Sequence, residues 1–363
     1  MEAATIGIRV LHSCHRLIGD WLTSGPRTRT KTSVTTGNIP DSSSSNLAIG
    51  AEIGSRGLRA VIGNNKGHIL DSIHAIDQSE SPLATVDGVC QLIDQLLDRR
   101  HARIDDISGI GIAFGGPVDT HRGLIIRSHR TPGFDHFPMA GVVEERFGIP
   151  VSVENDARSA AVGELRYGSG RGSRNMIYLQ LGIGIGGAVI VDGRIVHGTS
   201  MTAGELGHMA VSTDGPRCSC GKPGHLEAYA SETAIVERMR ERLISATPPE
   251  TARWLASPGV TLRRIFAAYG TDDDATAVVD ETVQVVGLAL ANLITALNSD
   301  TVVLGGYALE IGAPFVAAVR AKIRQYAFES AARRVNVAAS DLAADAAVIG
   351  AISLAFESAA ASS

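Results

Sequence analysis

The strongest constraint on the fold is a pattern of three short strands and two turns that occurs twice. Residues 46–70, NLAIGAEIGSRGLRAVIGNNKGHIL, predict an apolar strand, a glycine-rich turn, a second strand, an Asn-Lys-Gly turn and a third strand. Residues 175–198, NMIYLQLGIGIGGAVIVDGRIVHG, repeat that order with an Asp-Gly second turn. Two copies of one supersecondary unit predict a duplicated α/β fold with a cleft between its halves.

Helical patterns separate and follow the two copies. Apolar residues recur at helical spacing in 86–100 and 281–297, and a last helix is predicted over 346–358. The second of these precedes an apolar strand at 301–304, which we expect to end in a turn at Gly305-Gly306. With 363 residues the chain is long for one core, so two domains are expected.

Composition excludes several classes of partner. Aromatic residues make up only 4% of the chain and the formal charge is −5, so neither a stacking surface nor a basic footprint for nucleic acid is present. No apolar run approaches the ~18–20 residues of a membrane span. Four cysteines in 363 residues are not a disulfide framework. We therefore expect a cytoplasmic protein that binds neither membrane nor nucleic acid.

Residues 1–45 differ in texture from the rest. The stretch RVLHSCHRLIGDWLTSG is compatible with a short helix, and the following PRTRTKTSVTTGNIPDSSSS is a polar linker sequence. A flexible extension is the favoured interpretation. The alternative is a shortened DNA-binding helix.

The second glycine turn, Gly182-Ile183-Gly184-Ile185-Gly186-Gly187, formally matches the dinucleotide fingerprint G-x-G-x-x-G. That fingerprint requires a helix to follow, whereas AVIVDGRIV predicts a hairpin, so the dinucleotide interpretation fails. A glycine hairpin can still bind phosphate through successive backbone N–H groups. A tight turn without a ligand is the alternative, and the matching turn at Gly54 favours the phosphate site.

Two cysteines and two histidines lie close together in residues 204–227. His208, Cys218, Cys220 and His225 have the spacing H-x9-C-x-C-x4-H, with glycines and prolines between them that allow sharp turns. Four such ligands suit a closed, tetrahedral, structural zinc site. The alternatives are buried cysteines with surface histidines, or a redox pair, which C-x-C disfavours because it lacks the usual C-x-x-C spacing.

These motifs together resemble the ROK family of bacterial sugar kinases and sugar-responsive repressors. The resemblance runs from about Asn46 to the C-terminus on the segments EIG…GL, GIGIAFGGPVD, VENDARSAAVGE, LGIGIGG, AGELGH, CSCGKPGHLE and VVLGG. It implies an actin-like (ribonuclease-H-like) fold with two α/β domains around a cleft. The expected domains are an N-terminal one at 46–156, completed by a helix at 340–363, and a C-terminal one at 157–339 with the zinc loop 204–227.

The resemblance also implies roles for individual residues. Asp156 matches the catalytic aspartate, and the sugar contacts match Asn155, Glu205, His208 and Glu227. The metal ligands match His208, Cys218 and Cys220, with His225 where the family normally has a third cysteine; imidazole is also a good zinc ligand. The expected nucleotide-binding residues are Gly54, Ser55, Arg56, Gly184, Gly186, Gly305 and Gly306.

Two departures from the kinase pattern leave an alternative open. Family kinases usually read D-x-G-G-T-K and G-T-G in the phosphate loops, whereas this chain reads Glu52-Ile53-Gly54-Ser55-Arg56-Gly57 and Gly182-Ile183-Gly184. The favoured function is nevertheless an ATP- and Mg²⁺-dependent kinase of a hexose or hexose-like polyol, with structural Zn²⁺, because the residues that match the sugar contacts are intact. The alternative is a sugar-binding sensor or regulator. We expect a homodimer or homotetramer in either case.

Overall fold

The computed structural model describes most of the chain after Asn46. The described residues are 47–54, 57–76, 79, 81–128, 132–245, 254 and 259–362. The predicted extension 1–45, together with Ser55 and Arg56 of the first glycine turn, lies outside them. Contacts divide the chain into two compact units. The first takes the described residues up to Gly163, His197–Thr202 and those from Asp345 onward; the second takes Glu164–Val196 and Ala203–Ala344.

Strands and helices alternate along the described chain. The strands are β1 (Leu47–Gly54), β2 (Gly57–Asn64), β3 (Ile69–Ala75), β4 (Ile107–Phe114), β5 (Val118–Asp119), β6 (Leu124–Ile125), β7 (Val151–Asn155), β8 (Met176–Leu181), β9 (Ile185–Val191), β10 (Arg194–Ile195), β11 (Thr301–Gly306) and β12 (Asn336–Ala339). The α-helices are α1 (Pro82–Arg100), α2 (Met139–Phe147), α3 (Asp156–Tyr167), α4 (Glu227–Ala230), α5 (Glu232–Ser245), α6 (Leu262–Ala267), α7 (Asp273–Leu297), α8 (Ala308–Ile311), α9 (Ala313–Tyr326), α10 (Glu329–Arg334) and α11 (Ala346–Ser362).

The two units contain sheets of the same design. The first sheet has the order β3-β2-β1-β4-β7, and the second has the order β10-β9-β8-β11-β12. In each, the first three strands in the chain pair antiparallel, and two later strands add parallel to the first of them. The predicted duplication is therefore confirmed, strand by strand.

Glycines in the first sheet allow a helix to pack closely on it. A Cβ at Gly111 of β4 would lie 1.9 Å from the carbonyl oxygen of Ala351, and one at Gly50 of β1 would lie 2.5 Å from that of Val348. Both carbonyls belong to α11, so larger residues would push this helix away. Neighbouring strand residues such as Ile49 point to the opposite face, where they share a core with α1.

The second unit buries one large apolar core between its sheet and α7. Leu179 of β8 and Leu304 of β11 are fully buried in that core, together with Leu290 of α7. By length and composition alone, α7 and the segment Ala343–Ala361 would pass as membrane spans, but 56% of the most apolar 18-residue stretch of each is buried within the protein. Core packing is a sufficient reason for their apolar character.

Several element boundaries differ from the sequence prediction; α1, for example, begins at Pro82 rather than at 86. α7 begins at Asp273 rather than at 281, because Asp272 caps it by accepting a hydrogen bond from the N–H of Ala275 at 2.9 Å. Asp273, Asp274 and Asp280 interrupt the apolar residues of its first two turns, so the apolar pattern is weaker there than in the stretch that follows. Gly305 and Gly306 are the last residues of β11 rather than a separate turn, and they pair with β8.

Candidate active site and metal centre

One edge of the first sheet collects the candidate residues of that unit. β1, β4 and β7 are parallel, and Ile53, Phe114 and Asn155 are paired across them in register. All three strands therefore end at the same edge, where Gly54 and Asp156 lie. Ligands of open α/β sheets bind outside the carboxyl ends of the strands.

Asp156 is the first residue of α3, directly after β7. Its Oδ1 accepts a hydrogen bond from the N–H of Ala157 at 2.8 Å, and the positive end of the helix dipole favours its charge. The neighbouring Asn155 is held at both ends of its amide. Nδ2 donates to the carbonyl of Gly116 at 3.1 Å, and Oδ1 accepts from the N–H of Arg158 at 3.1 Å. The strand–helix junction thus presents an aspartate beside an immobilised asparagine.

A buried ionic network lies beneath this junction. Glu154 and Arg158 are 1% and 2% exposed, and Nε of Arg158 donates to Oε1 of Glu154 at 2.6 Å. Nε2 of His197 donates to the other carboxylate oxygen at 2.7 Å. Burial alone raises the pKa of Glu154, but the charge of Arg158 and the hydrogen bond from His197 outweigh it and lower that pKa to about 2.

The depressed pKa of Glu154 predicts a specific loss of stability in acid. Its pKa falls from 4.5 to about 2 on folding, so the stabilisation is complete above about pH 4.5 and is lost as the pH falls towards 2. A shift of this size contributes on the order of 3 kcal/mol to the free energy of unfolding. Urea unfolding between pH 6 and pH 3 should show a steeper decline for the wild type than for Glu154→Gln, and equal slopes would contradict the assignment.

The glycine turn of the second unit lies between β8 and β9. The N–H of Gly182 donates to the carbonyl of Gly184 at 3.0 Å, and the N–H of Glu232, at the start of α5, donates to the carbonyl of Gly182 at 2.8 Å. Ile183 at the tip is 61% exposed. The turn therefore presents backbone and an apolar side chain.

Gly305 and Gly306 lie beside this glycine turn. They end β11 and pair with Gln180 and Leu181 at the end of β8, so they lie with the glycine turn at the carboxyl edge of the second sheet. Gly306 has φ +70, and a Cβ there would lie 1.8 Å from the carbonyl oxygen of Leu181. Only glycine fits this position, because the backbones of the two strand ends approach so closely.

The four predicted metal ligands converge in the second unit. The ligand atoms of His208, Cys218, Cys220 and His225 all lie within 4.8 Å of one another. Nδ1 of His208 lies 3.4 Å from Sγ of Cys218, and Nδ1 of His225 lies 3.2 Å from Sγ of Cys220. A tetrahedral zinc ion separates its nitrogen and sulfur ligands by about 3.6 Å, so these pairs need only small adjustments.

The backbone and the chemistry of the donor set also fit a metal ion. The N–H of Gly221 donates to the carbonyl of Cys218 at 2.8 Å, which folds the C-x-C segment back on itself. Gly224 has φ +71, and a Cβ there would lie 2.0 Å from the carbonyl oxygen of Ser212. Burial, followed by the hydrogen bond with the Cys220 side chain and the nearby charge of Glu227, raises the pKa of the Cys218 thiol. A bound cation would reverse this effect by stabilising the thiolate.

Glu227 connects the metal loop to the glycine turn. Its Oε1 accepts hydrogen bonds from Oγ of Ser219 at 2.7 Å and Sγ of Cys218 at 3.4 Å. Its Oε2 accepts from the N–H of Ile185 at 3.1 Å, and a Cβ at Gly184 would lie 3.0 Å from that oxygen. One carboxylate is therefore fixed by both loops.

His208 faces the metal ligands with one nitrogen and a carboxylate with the other. Nδ1 is directed at Cys218, whereas Nε2 lies 4.0 Å from Oε2 of Glu205. A metal on Nδ1 leaves the proton on Nε2, which makes that atom a hydrogen-bond donor. Glu205, His208 and Glu227 thus lie close to the metal ligands within the loop 204–227.

Sequence reasoning missed the residues that hold these groups in place. Glu154 and Arg158 flank the Asn155-Asp156 pair four residues apart, but the change from strand to helix between them hides the contact. His197 lies 43 residues beyond Glu154, so no local pattern connects them. Ser219 stands between the two cysteines, where the motif gives no reason to distinguish it from a spacer.

Comparison with known proteins places these features in one family. The sequence profile of the ROK family matches residues 48–358. A glucokinase of Halalkalibacterium halodurans is 33% identical over 307 residues, which are 83% of this chain and 92% of the relative. A xylose repressor of Caldicellulosiruptor bescii is 26% identical over 84% of this chain and 77% of its own length.

Solved structures agree with the fold. The ROK family glucokinase of Streptomyces griseus, in complex with glucose and AMPPNP, superimposes with a TM-score of 0.73 at 29% identity, covering 85% of this chain and 99% of that one. The actin-like, ribonuclease-H-like fold expected from the motifs is therefore confirmed. Because the ROK family profile matches nearly the whole described chain, this protein belongs to the ROK family.

Proposed function

We propose that this protein phosphorylates a hydroxyl group of a hexose or hexose-like polyol with ATP. The substrate class includes glucose, amino sugars and cyclitols. The observation that carries the proposal is the junction at Asp156, where a carboxylate at the carboxyl edge of a parallel sheet adjoins an asparagine with both amide ends fixed. Similarity to glucokinases over most of the chain supports it.

Asp156 acts as general base in the proposed reaction. A sugar hydroxyl is a weak nucleophile, and a carboxylate within hydrogen-bond reach accepts its proton as the oxygen attacks the γ-phosphorus. The new P–O bond forms while the bond from that phosphorus to the bridging oxygen breaks, and ADP leaves. Asn155, Glu205, His208 and Glu227 hold the other hydroxyls, because amide, carboxylate and imidazole groups together offer both donors and acceptors.

Backbone donors replace the missing threonines in this proposal. Gly54, Gly184 and Gly186 offer N–H groups to phosphate oxygens, and such donors do not depend on side-chain identity. Gly305 and Gly306 lie beside the second of these turns. Mg²⁺ bound with ATP would neutralise phosphate charge, and Glu52 would hold its water ligands.

Zinc has a positioning role in the proposed site. His208, Cys218, Cys220 and His225 hold the ion, which supplies rigidity rather than chemistry at the phosphorus. His208 would then offer Nε2–H to the sugar, and the loop fixes Glu227 through Ser219. The same carboxylate bonds to Ile185 in the glycine turn, so the proposed sugar site and phosphate site share a rigid connection.

A sugar sensor without catalysis is the second candidate function. The exposed Ile183 favours it, because this side chain adds no hydrogen-bond donor where related kinases carry threonine. Similarity to xylose repressors agrees with this alternative. Both candidates keep the sugar site and differ only in the use of ATP.

Calorimetry and a coupled assay separate the two functions. A kinase should produce ADP from ATP and Mg²⁺ with at least one sugar of a panel of hexoses, amino sugars and cyclitols. It should also bind a non-hydrolysable ATP analogue when that sugar is present. Tight sugar binding without measurable nucleotide binding would replace the kinase by the sensor.

A further inference from the structure

We propose that Glu154, Arg158 and His197 form a positioning network that fixes Asn155 and Asp156 for sugar binding and catalysis. This inference rests on the proposed function, since it assigns these three residues to the same site. None of the three takes part in the chemical step. Each acts through the backbone and side chains on either side of Asp156.

The hydrogen bonds of the network join residues that precede and follow Asp156 in the sequence. Oε1 of Glu154 accepts from the N–H of Asn155 at 2.7 Å and from Nε of Arg158 at 2.6 Å. The N–H of Arg158 in turn donates to Oδ1 of Asn155 at 3.1 Å. Residues 154, 155 and 158 are thus bonded to one another, which restricts the path of the backbone through Asp156.

The network is anchored to two other segments of the first unit. Nη2 of Arg158 donates to the carbonyl of Val118 in β5 at 3.2 Å, and Nη1 donates to the carbonyl of Met201 at 2.8 Å. His197 binds Glu154 at 2.7 Å. The segment His197–Thr202 is therefore attached near both of its ends, which explains why it belongs to the first unit while the chain on either side belongs to the second.

Stability alone does not account for this arrangement. Removing two charges from water costs free energy that their attraction often fails to recover, so apolar residues of similar size stabilise such sites equally well. A fully bonded buried network does, however, hold its members in one geometry. Here the members adjoin the proposed base, where a displacement of about 1 Å can cost about 100-fold in rate.

The test compares two substitutions of His197 in the full-length protein. His197→Leu removes the hydrogen bond to Glu154, whereas His197→Gln keeps an N–H donor. We expect the leucine variant to lose about 10–100-fold in kcat and severalfold in sugar affinity, and the glutamine variant to recover most of both. Circular dichroism establishes folding. If the leucine variant does not fold, Arg158→Lys takes its place in the comparison, because it keeps the charge but loses the two carbonyl contacts.

A double-mutant cycle with Asp156→Asn separates positioning from general destabilisation. If the network acts through Asp156, His197→Leu should lower kcat much less in the Asp156→Asn background than in the wild type. Additive losses, or equal losses for leucine and glutamine, would overturn the proposal. If the wild type binds sugar without turnover, only the proposed kinase activity is wrong. The effect of the His197 substitutions on sugar affinity then tests the positioning network. A wild type that neither binds sugar nor turns over contradicts both.

Discussion

Asp156→Asn should lower kcat by about 10²–10⁴-fold while the sugar affinity stays close to that of the wild type. Asparagine keeps the size of the side chain and can still accept the hydrogen bond from Ala157 through its Oδ1. It cannot accept a proton from the sugar hydroxyl. A coupled assay measures kcat, and calorimetric titration measures the sugar affinity.

Asp192→Asn is a matched control for the same chemical change. Asp192 is exposed in the turn between β9 and β10 and has φ 50, a conformation that asparagine tolerates well. Its ion pair with Arg174 is a surface contact of small energetic value. This variant should have normal kcat. Near-normal turnover of Asp156→Asn would remove Asp156 from the role of base.

The duplicated sheets could be predicted because their signals are local. Alternation of apolar residues and the glycine, asparagine and aspartate turns of 46–70 and 175–198 define each three-stranded unit within 25 residues or fewer. The close approach of α11 to β1 and β4 could not be predicted in this way. It depends on Gly50 and Gly111 meeting a helix at the far end of the chain, and a glycine in a strand can equally mark a bulge or a bend.

The same distinction applies to the candidate site. His208, Cys218, Cys220 and His225 lie within a short segment whose composition indicates a metal, and the structure brings them together. The hydrogen bond from His197 to Glu154 and the bond from Ile185 to Glu227 join residues 43 and 42 positions apart. Such contacts depend on tertiary folding, so residue spacing does not reveal them.

Zinc should co-purify at about one ion per chain, and its loss should both destabilise the protein and weaken sugar binding. An ion that binds only the folded state, at a free concentration about 100 times its dissociation constant, adds about 2.7 kcal/mol to the free energy of unfolding. Removal of the ion should therefore lower the melting temperature of a unit of this size by roughly 5–11 °C. Sugar affinity should fall about tenfold or more, because Glu227 and His208 lose the loop that orients them.

Cys218→Ser and Ser219→Ala test this prediction as a pair of neighbouring substitutions. Cys218→Ser replaces a thiolate ligand by a poor one, so zinc content, melting temperature and sugar affinity should fall together. Ser219→Ala removes the hydrogen bond to Oε1 of Glu227 and the 3.7 Å contact with Sγ of Cys218, and it leaves all four ligands in place. It should keep the zinc and most of the thermal stability while losing part of the sugar affinity. Metal analysis by mass spectrometry on protein purified without chelators measures the zinc content. A zinc-free wild type with full sugar affinity would show that the loop holds Glu227 without a metal, through Ser219 and the backbone of the C-x-C turn alone.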